Sequence, residues 1–305
     1  MHEINFKAMG SHMLAILDSQ SARSADRLRR VPDWFAEWEA CLSRFRFDSE
    51  LSLLNRHTGE QVQVSPTLKS VFQTAIAMEI RSQRLVSPTV LDSLVSAGYD
   101  RSFDEMATEV AQGTRMETAC RDTATIAWDE RSRMITLPPD VHLDFGGVAK
   151  GWAAQQTVQR LKIYGPVLMD AGGDIAISGL QRDGQPWQVA IADPFHPEED
   201  LEQLRLGRCG VATSGTDFRH WNQDGKRRHH IIDPRTGKPA ETDILSATVI
   251  APSIIEAEMG AKVTLISGSV NGMQWLEAQP SFAGMVVLEN GQRLYSQSME
   301  KYLWS

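Results

Sequence analysis

The sequence predicts an α+β protein, a single two-lobed domain over residues 1–305 with mainly antiparallel sheets and packed helices. Three observations predict it. Strand-like runs come in adjacent pairs around glycine breaks: 4–18 around Gly10, 167–178 around Gly172-Gly173, and 284–297 around Asn290-Gly291. Helical runs are interspersed with those pairs rather than alternating with single strands. No linker-like tract or fixed-period repeat divides the chain.

The elements follow in order. Residues 24–43 read as a helix, with Leu28, Val31, Phe35, Trp38 and Leu42 near helical spacing. A helix over 65–84 opens on Ser65-Pro66, a capping residue followed by Pro at the first helical position. Ser87-Pro88-Thr89 marks a turn or a helix start, and 123–137 reads as a hairpin around a polar turn. A third helix is expected over 148–163, and 187–192 and 245–251 read as strands. The last helix, about 254–267, starts at a capping box of Ser253 and Glu256 and stops at Gly268.

Composition excludes several functions. The chain has 305 residues, 42% hydrophobic and 23% charged, enough to bury a core without disulfides or structural metals. Its net charge of −8 argues against a general nucleic-acid binder, though a local basic cluster can still take phosphate. Cys41, Cys120 and Cys209 are far apart with no C-x-x-C pair, which speaks against a zinc site and fits a reducing compartment. No apolar run approaches a membrane span and no secretory h-region opens the chain, so a cytoplasmic location is expected.

Four segments carry chemistry. Residues 143–151 (LDFGGVAKG) place Gly146-Gly147 before a helix, with Lys150 in its first turn. This is either a phosphate cradle, built on close backbone approach and helix N–H groups, or a plain strand-to-helix turn. Asp170-Ala171-Gly172-Gly173-Asp174 sets two carboxylates about a glycine break. They can accept from ribose hydroxyls or a ring N–H, or simply form a tight hairpin. Thr213-Ser214-Gly215 precedes the run His229 to Gly237, where Asp233-Pro234 fits a type I turn. There His230 is a candidate general base or phosphate donor, or a strand histidine satisfied by backbone. Finally, Glu258 and Lys262 stand four apart in the favoured order for a solvated helical pair, adding about 0.2–0.5 kcal/mol. A Walker loop and a nucleophile elbow are both missing, so kinase and serine-hydrolase readings lack support.

In order and joint presence these segments resemble the ApbE flavin transferases. Further matching stretches are 6–10 (FKAMG), 43–46 (SRFR), 48–51 (DSEL), Leu54-Asn55, Pro88-Thr89-Val90 and 230–239 (HIIDPRTGKP). The resemblance implies a fold related to tunnelling folds that binds FAD. It also implies transfer of the FMN moiety, as a phosphoester, to a Thr or Ser of a target flavoprotein, with AMP leaving. It places Met9 against the isoalloxazine and counts Gly10 among the FAD-binding residues. It places Asp144, Gly146, Gly147, Asp170, Ala171, Gly172, Gly173, Asp174, Thr213, Ser214, Gly215, Ile232 and Asp233 about the nucleotide. Lys150 and His230 fall near the diphosphate as the catalytic pair, with His230 receiving the hydroxyl proton.

The family pattern also has Ala-Asp with Thr four residues on, holding Mg²⁺ together with a backbone carbonyl. That places a metal at Ala149 and Glu258, but here the Thr position is Lys262. An ammonium has donors only and cannot ligate. Lys262 is therefore expected in the metal's place, supplying part of its charge to the diphosphate. A second departure is Leu91-Asp92 where the family commonly has Gly-Pro. These departures keep two alternatives open: an FAD-binding carrier or sensor without transfer, and an FAD pyrophosphatase yielding FMN and AMP.

Overall fold

The computed structural model describes residues 1–106, 109–110, 119–223 and 225–304. The chain gathers into two compact units, interleaved in sequence. The first comprises Met1–Trp34, Lys150–Phe218 and Glu241–Ser305; the second comprises Phe35–Ala149 and Arg219–Ala240.

The first unit is built on an eight-stranded sheet: β1 (His2–Ala8), β2 (Ser11–Leu17), β3 (Val167–Ala171), β4 (Ile175–Ile177), β5 (Cys209–Gly215), β6 (Ile244–Ala251), β7 (Ala283–Leu288) and β8 (Arg293–Tyr295). Spatial order equals chain order, and every neighbour is antiparallel. β6, ILSATVIA, is buried along its whole length, because both faces of the sheet are covered. On one face Val249 meets Gly260 of the helix Ile254–Glu277. On the other, Ile250 joins Ile175, Val211 and Met285 against Trp187, Val189 and Leu206 of the ribbon formed by Trp187–Ala192 and Asp200–Leu206. The ribbon strand Trp187–Ala192 alternates buried and exposed residues, as a strand with one covered face must.

The second unit packs the helices Glu50–Arg56, Pro66–Arg81 and Leu91–Ser96 with short strands. Ser65 caps its helix by accepting from the Leu68 N–H at 3.2 Å. The expected hairpin forms from Ala127–Asp129 and Met134–Thr136. A small core of Leu94, Ala97, Tyr99, Trp221 and Ile232 gathers the end of one helix and the hairpin His220–Gln223/Lys226–His229.

Two expectations are corrected. Residues 24–43 form two helices, Ala22–Leu28 and Val31–Leu42, not one. Pro32 lacks the N–H that a continuous helix would need, so it sits in the first turn of a new one. The last helix does break at Gly268 (φ 76°), but it then resumes and runs to Glu277. Asp243 accepts from the Ser269 N–H at 2.8 Å and caps the second stretch. Among the described residues no helix is long and apolar enough to cross a membrane.

Candidate functional site

Antiparallel pairing carries three of the singled-out segments to one end of the first unit's sheet. The β1–β2 turn is Met9-Gly10 (φ 50° and 65°), and the β3–β4 turn is Gly172-Gly173 (φ 71° and 91°). Both have positive φ at both central residues, the type I′ form that suits strand twist. Met13 pairs with Ala171, so the start of β2 lies beside the end of β3 and the two turns are neighbours. Val211 pairs with Ile175, which brings Thr213, Ser214 and Gly215 to the same end. There the Thr213 hydroxyl lies 2.8 Å from that of Thr248. Glycine is required at 172, where a Cβ would stand 2.7 Å from the Cβ of Ser11.

Met9 is a strained choice for its turn, since non-glycine residues other than Asn and Asp seldom adopt positive φ. Such outliers are retained where something other than stability needs them. Met9→Asn is expected to raise the unfolding free energy by about 0.5–1 kcal/mol in denaturant titration.

Behind these turns lie two lysine–carboxylate pairs, with Asp170 beside one of them. Lys150, in the first turn of the helix Ala149–Leu161, pairs with the carboxylate of Asp174, and its ammonium is 3.4 Å from the Ala171 carbonyl. Asp170 instead accepts the Gly173 N–H at 2.7 Å, and burial raises its pKa. Lys262 donates to Glu258 Oε1 at 3.1 Å. The solvated reading of that pair is overturned: Glu258 is only 2% exposed, and its Oε2 has no hydrogen-bond partner. Oε2 lies against Gly151, where a Cβ would approach to 2.5 Å. Helical spacing foresaw the pair but not which face of the helix is covered.

Burial pushes the Glu258 carboxyl up to about 7 from 4.5, opposed by Lys262 and Lys150 and reinforced by Asp174. A raised carboxyl contributes stability that is complete below its unfolded pKa and is lost as pH rises through the folded one. Unfolding free energy is therefore expected to fall between about pH 4.5 and 7. Glu258→Gln should flatten that slope in denaturant titrations across the range.

The second unit holds a separate group. Arg44 Nε meets Asp144 Oδ2 at 2.8 Å with both side chains buried. The other Asp144 oxygen accepts from Gly146 N–H at 2.8 Å, which fixes the turn that leads through Gly147 to Ala149. The Arg44 guanidinium also donates to the Tyr99 carbonyl at 2.8 Å and lies 4.6 Å over the Tyr99 ring. The His230 ring meets Tyr99 edge-on at 6.5 Å, and Ile232 packs in the same core as Tyr99. Asp233 shapes the expected turn: its carbonyl accepts from Thr236 and Gly237, and its carboxylate holds Arg235 at 2.8 Å. At the Leu91-Asp92 departure a helix begins, with Asp92 2.8 Å from His142 Nδ1.

Asp144 and His230 are thus linked through Arg44 and Tyr99, two residues to which sequence reasoning gave no role. Arg44 was visible within the Ser-Arg-Phe-Arg run, but its partner lies 100 positions away and no local spacing joins them. Among the described residues no group of three His, Cys, Asp or Glu side chains is placed to hold a metal ion.

A sheet in chain order whose glycine turns and lysine–carboxylate pairs share one end defines a fold already seen in solved proteins. The chain superposes on the ApbE protein of Thermotoga maritima with a TM-score of 0.88 at 22% identity, over 100% of this chain and 99% of that one. It superposes on the flavin transferase ApbE from Vibrio cholerae with a TM-score of 0.76 at 23% identity, over 99% of each. The ApbE family model matches residues 9–286, and the chain belongs to the ApbE family. Relatives named FAD:protein FMN transferase include one from Vibrio cholerae, 31% identical over 85% of this chain and 79% of its own length. Another, from Klebsiella pneumoniae, is 32% identical over 93% and 83%.

Proposed function

We propose that this protein is an FAD:protein FMN transferase. It binds FAD, moves the FMN moiety onto a Thr or Ser hydroxyl of a target flavoprotein, and releases AMP. The family membership supports the activity. The observation that carries the site is the Lys150–Asp174 ion pair, which joins the charged residues that follow the two diglycine segments.

In this reading the Gly146-Gly147 and Gly172-Gly173 backbones and the Lys150 ammonium receive the diphosphate, where N–H groups and a point charge suit an anion. Met9 and Gly10 meet the isoalloxazine. Asp170, Ala171, Asp174, Thr213, Ser214 and Gly215 offer acceptors and hydroxyls to the nucleotide, while Asp144, Ile232 and Asp233 hold the segments on which Gly146 and His230 sit. His230 takes the proton from the acceptor hydroxyl as its oxygen bonds to the FMN phosphorus. The bond from that phosphorus to the bridging oxygen breaks, and AMP departs with that oxygen. Lys150 and Lys262 stabilise the charge that develops on the phosphoryl oxygens.

The Mg²⁺ that the family pattern implies at Ala149 and Glu258 does not fit the residues present. Mg²⁺ demands near-octahedral oxygen ligation. Glu258, and Asp174 which acts on it, are each already bonded to an ammonium. No step is therefore assigned to a metal. The three cysteines are free thiols, in keeping with a cytoplasmic location.

The test is to incubate the protein with FAD, with and without a candidate acceptor flavoprotein, and to assay AMP and protein-bound flavin. AMP that appears only with the acceptor, together with covalent flavin, supports transfer. AMP and free FMN without acceptor would point to a pyrophosphatase, and retained FAD without AMP to a carrier.

A further inference from the structure

Glu258 with Lys262 and Asp174 with Lys150 form two ion pairs, one ammonium to each carboxylate. Lys262 lies on Glu258 at 3.1 Å and Lys150 on Asp174. The two pairs also act on each other, since Glu258 feels both Asp174 and Lys150. The carboxylates are deep, with Glu258 2% and Asp174 5% exposed, whereas the lysine side chains keep 19% and 18% of their surface open. The lysines are thus the more open members of the pairs and the carboxylates their buried counter-charges.

We infer that this chain carries its own counter-cation. The Lys262 ammonium, seated on buried Glu258 beside the Lys150–Asp174 pair, serves a dinucleotide diphosphate in place of a divalent ion, so FAD binding here is independent of divalent metal. The inference rests on the flavin reading and deepens it. Three features carry it beyond the sequence departure. First, the pair is buried, so it is not a surface ornament. Second, Asp174 and one oxygen of Glu258 are each already engaged by an ammonium, and a second positive ion there would face two ammoniums within the same cluster. Third, Gly151 leaves room for Glu258 Oε2 directly against the first turn of the helix Ala149–Leu161. The partial positive charge of that helix end faces the second carboxylate oxygen, which has no hydrogen-bond partner. A diphosphate diester brings two negative charges, and the two partly open lysine side chains are the charged donors that can meet it.

The experiment uses the full chain in two arms. In the first, FAD affinity is measured by flavin fluorescence in EDTA and again in millimolar Mg²⁺. In the second, Mn²⁺ alone is titrated into the protein and followed by electron paramagnetic resonance. The wild type should bind FAD equally well in EDTA and Mg²⁺ and take up no stoichiometric Mn²⁺. Lys262→Thr should bind FAD about tenfold or more weakly in EDTA, the loss of one charge-assisted contact, and recover in part with Mg²⁺. Lys262→Arg should keep most of the EDTA affinity.

Wild-type FAD binding that collapses in EDTA would overturn the inference. So would a stoichiometric Mn²⁺ site in the wild type that Glu258→Gln abolishes. The EDTA comparison and the Mn²⁺ titration are both made on the wild type, so they decide the matter even if Lys262→Thr misfolds. A protein that binds FAD under neither condition would instead sink the flavin reading, and Lys262's service to it along with it.

Discussion

His230→Ala should slow the release of AMP from FAD in the presence of an acceptor flavoprotein by about 10²–10⁴-fold, the usual contribution of a positioned acid–base group. FAD affinity should change far less, because the ring is proposed to act on the acceptor's proton. In the structure His230 is set at the entry to the Asp233-Pro234 turn, and its ring meets the edge of Tyr99. Arg44 in turn holds Tyr99 from its face and through its carbonyl. The same rate difference should appear in single-turnover experiments, where product release is not limiting. A variant that transfers flavin at the wild-type rate would remove His230 from the proton path and return the histidine to a packing role. Tyr99→Phe is the useful companion, since it keeps the ring and should keep most of the activity.

Gly210→Ala is expected to have the largest effect on stability. Gly210 lies in β5 where the helix Ile254–Glu277 begins, and a Cβ there would fall on the backbone of Ser253 and Ile254. Backbone cannot step aside as a flexible side chain can. The helix start is also pinned by Ser253, whose hydroxyl accepts from Glu256 N–H at 3.3 Å and donates to the Glu256 carboxylate at 2.8 Å. The variant should lose about 3 kcal/mol or more, at the upper end of overpacking costs. That corresponds to a fall of roughly 6–12 °C in the melting temperature for a unit of this size. The helix carries Glu258 and Lys262, so any protein that survives should also bind FAD more weakly. An alanine variant with unchanged melting would show that the close approach of helix and sheet is not needed.

Much of the fold was legible in the residues. The chain reversals at Gly10 and Gly172-Gly173 announce themselves because glycine tolerates the positive φ they need, although nothing in the sequence marks Met9 as sharing it. Ser65-Pro66 and Ser253/Glu256 announce helix starts because the unpaired N–H groups there need nearby acceptors. The 24–43 run misled, because its apolar spacing persists across Pro32 while the backbone hydrogen bonds cannot. The stretch beyond Gly268 misled in the opposite sense: the stop is real, but Asp243, 26 positions upstream of Ser269, restarts the helix.

By itself the sequence determined the antiparallel α+β plan, the glycine turns, the helix caps and the set of residues that marks the ApbE family, since each rests on contacts within a few positions. Only the tertiary structure decided that Glu258 and Lys262 are buried, that Lys150 reaches Asp174, and that Arg44 joins Asp144 to Tyr99. Those facts depend on which face of an element is covered and on partners 24 to 100 residues apart. Side-chain chemistry along the chain carries no record of them until the sheet and helices have packed.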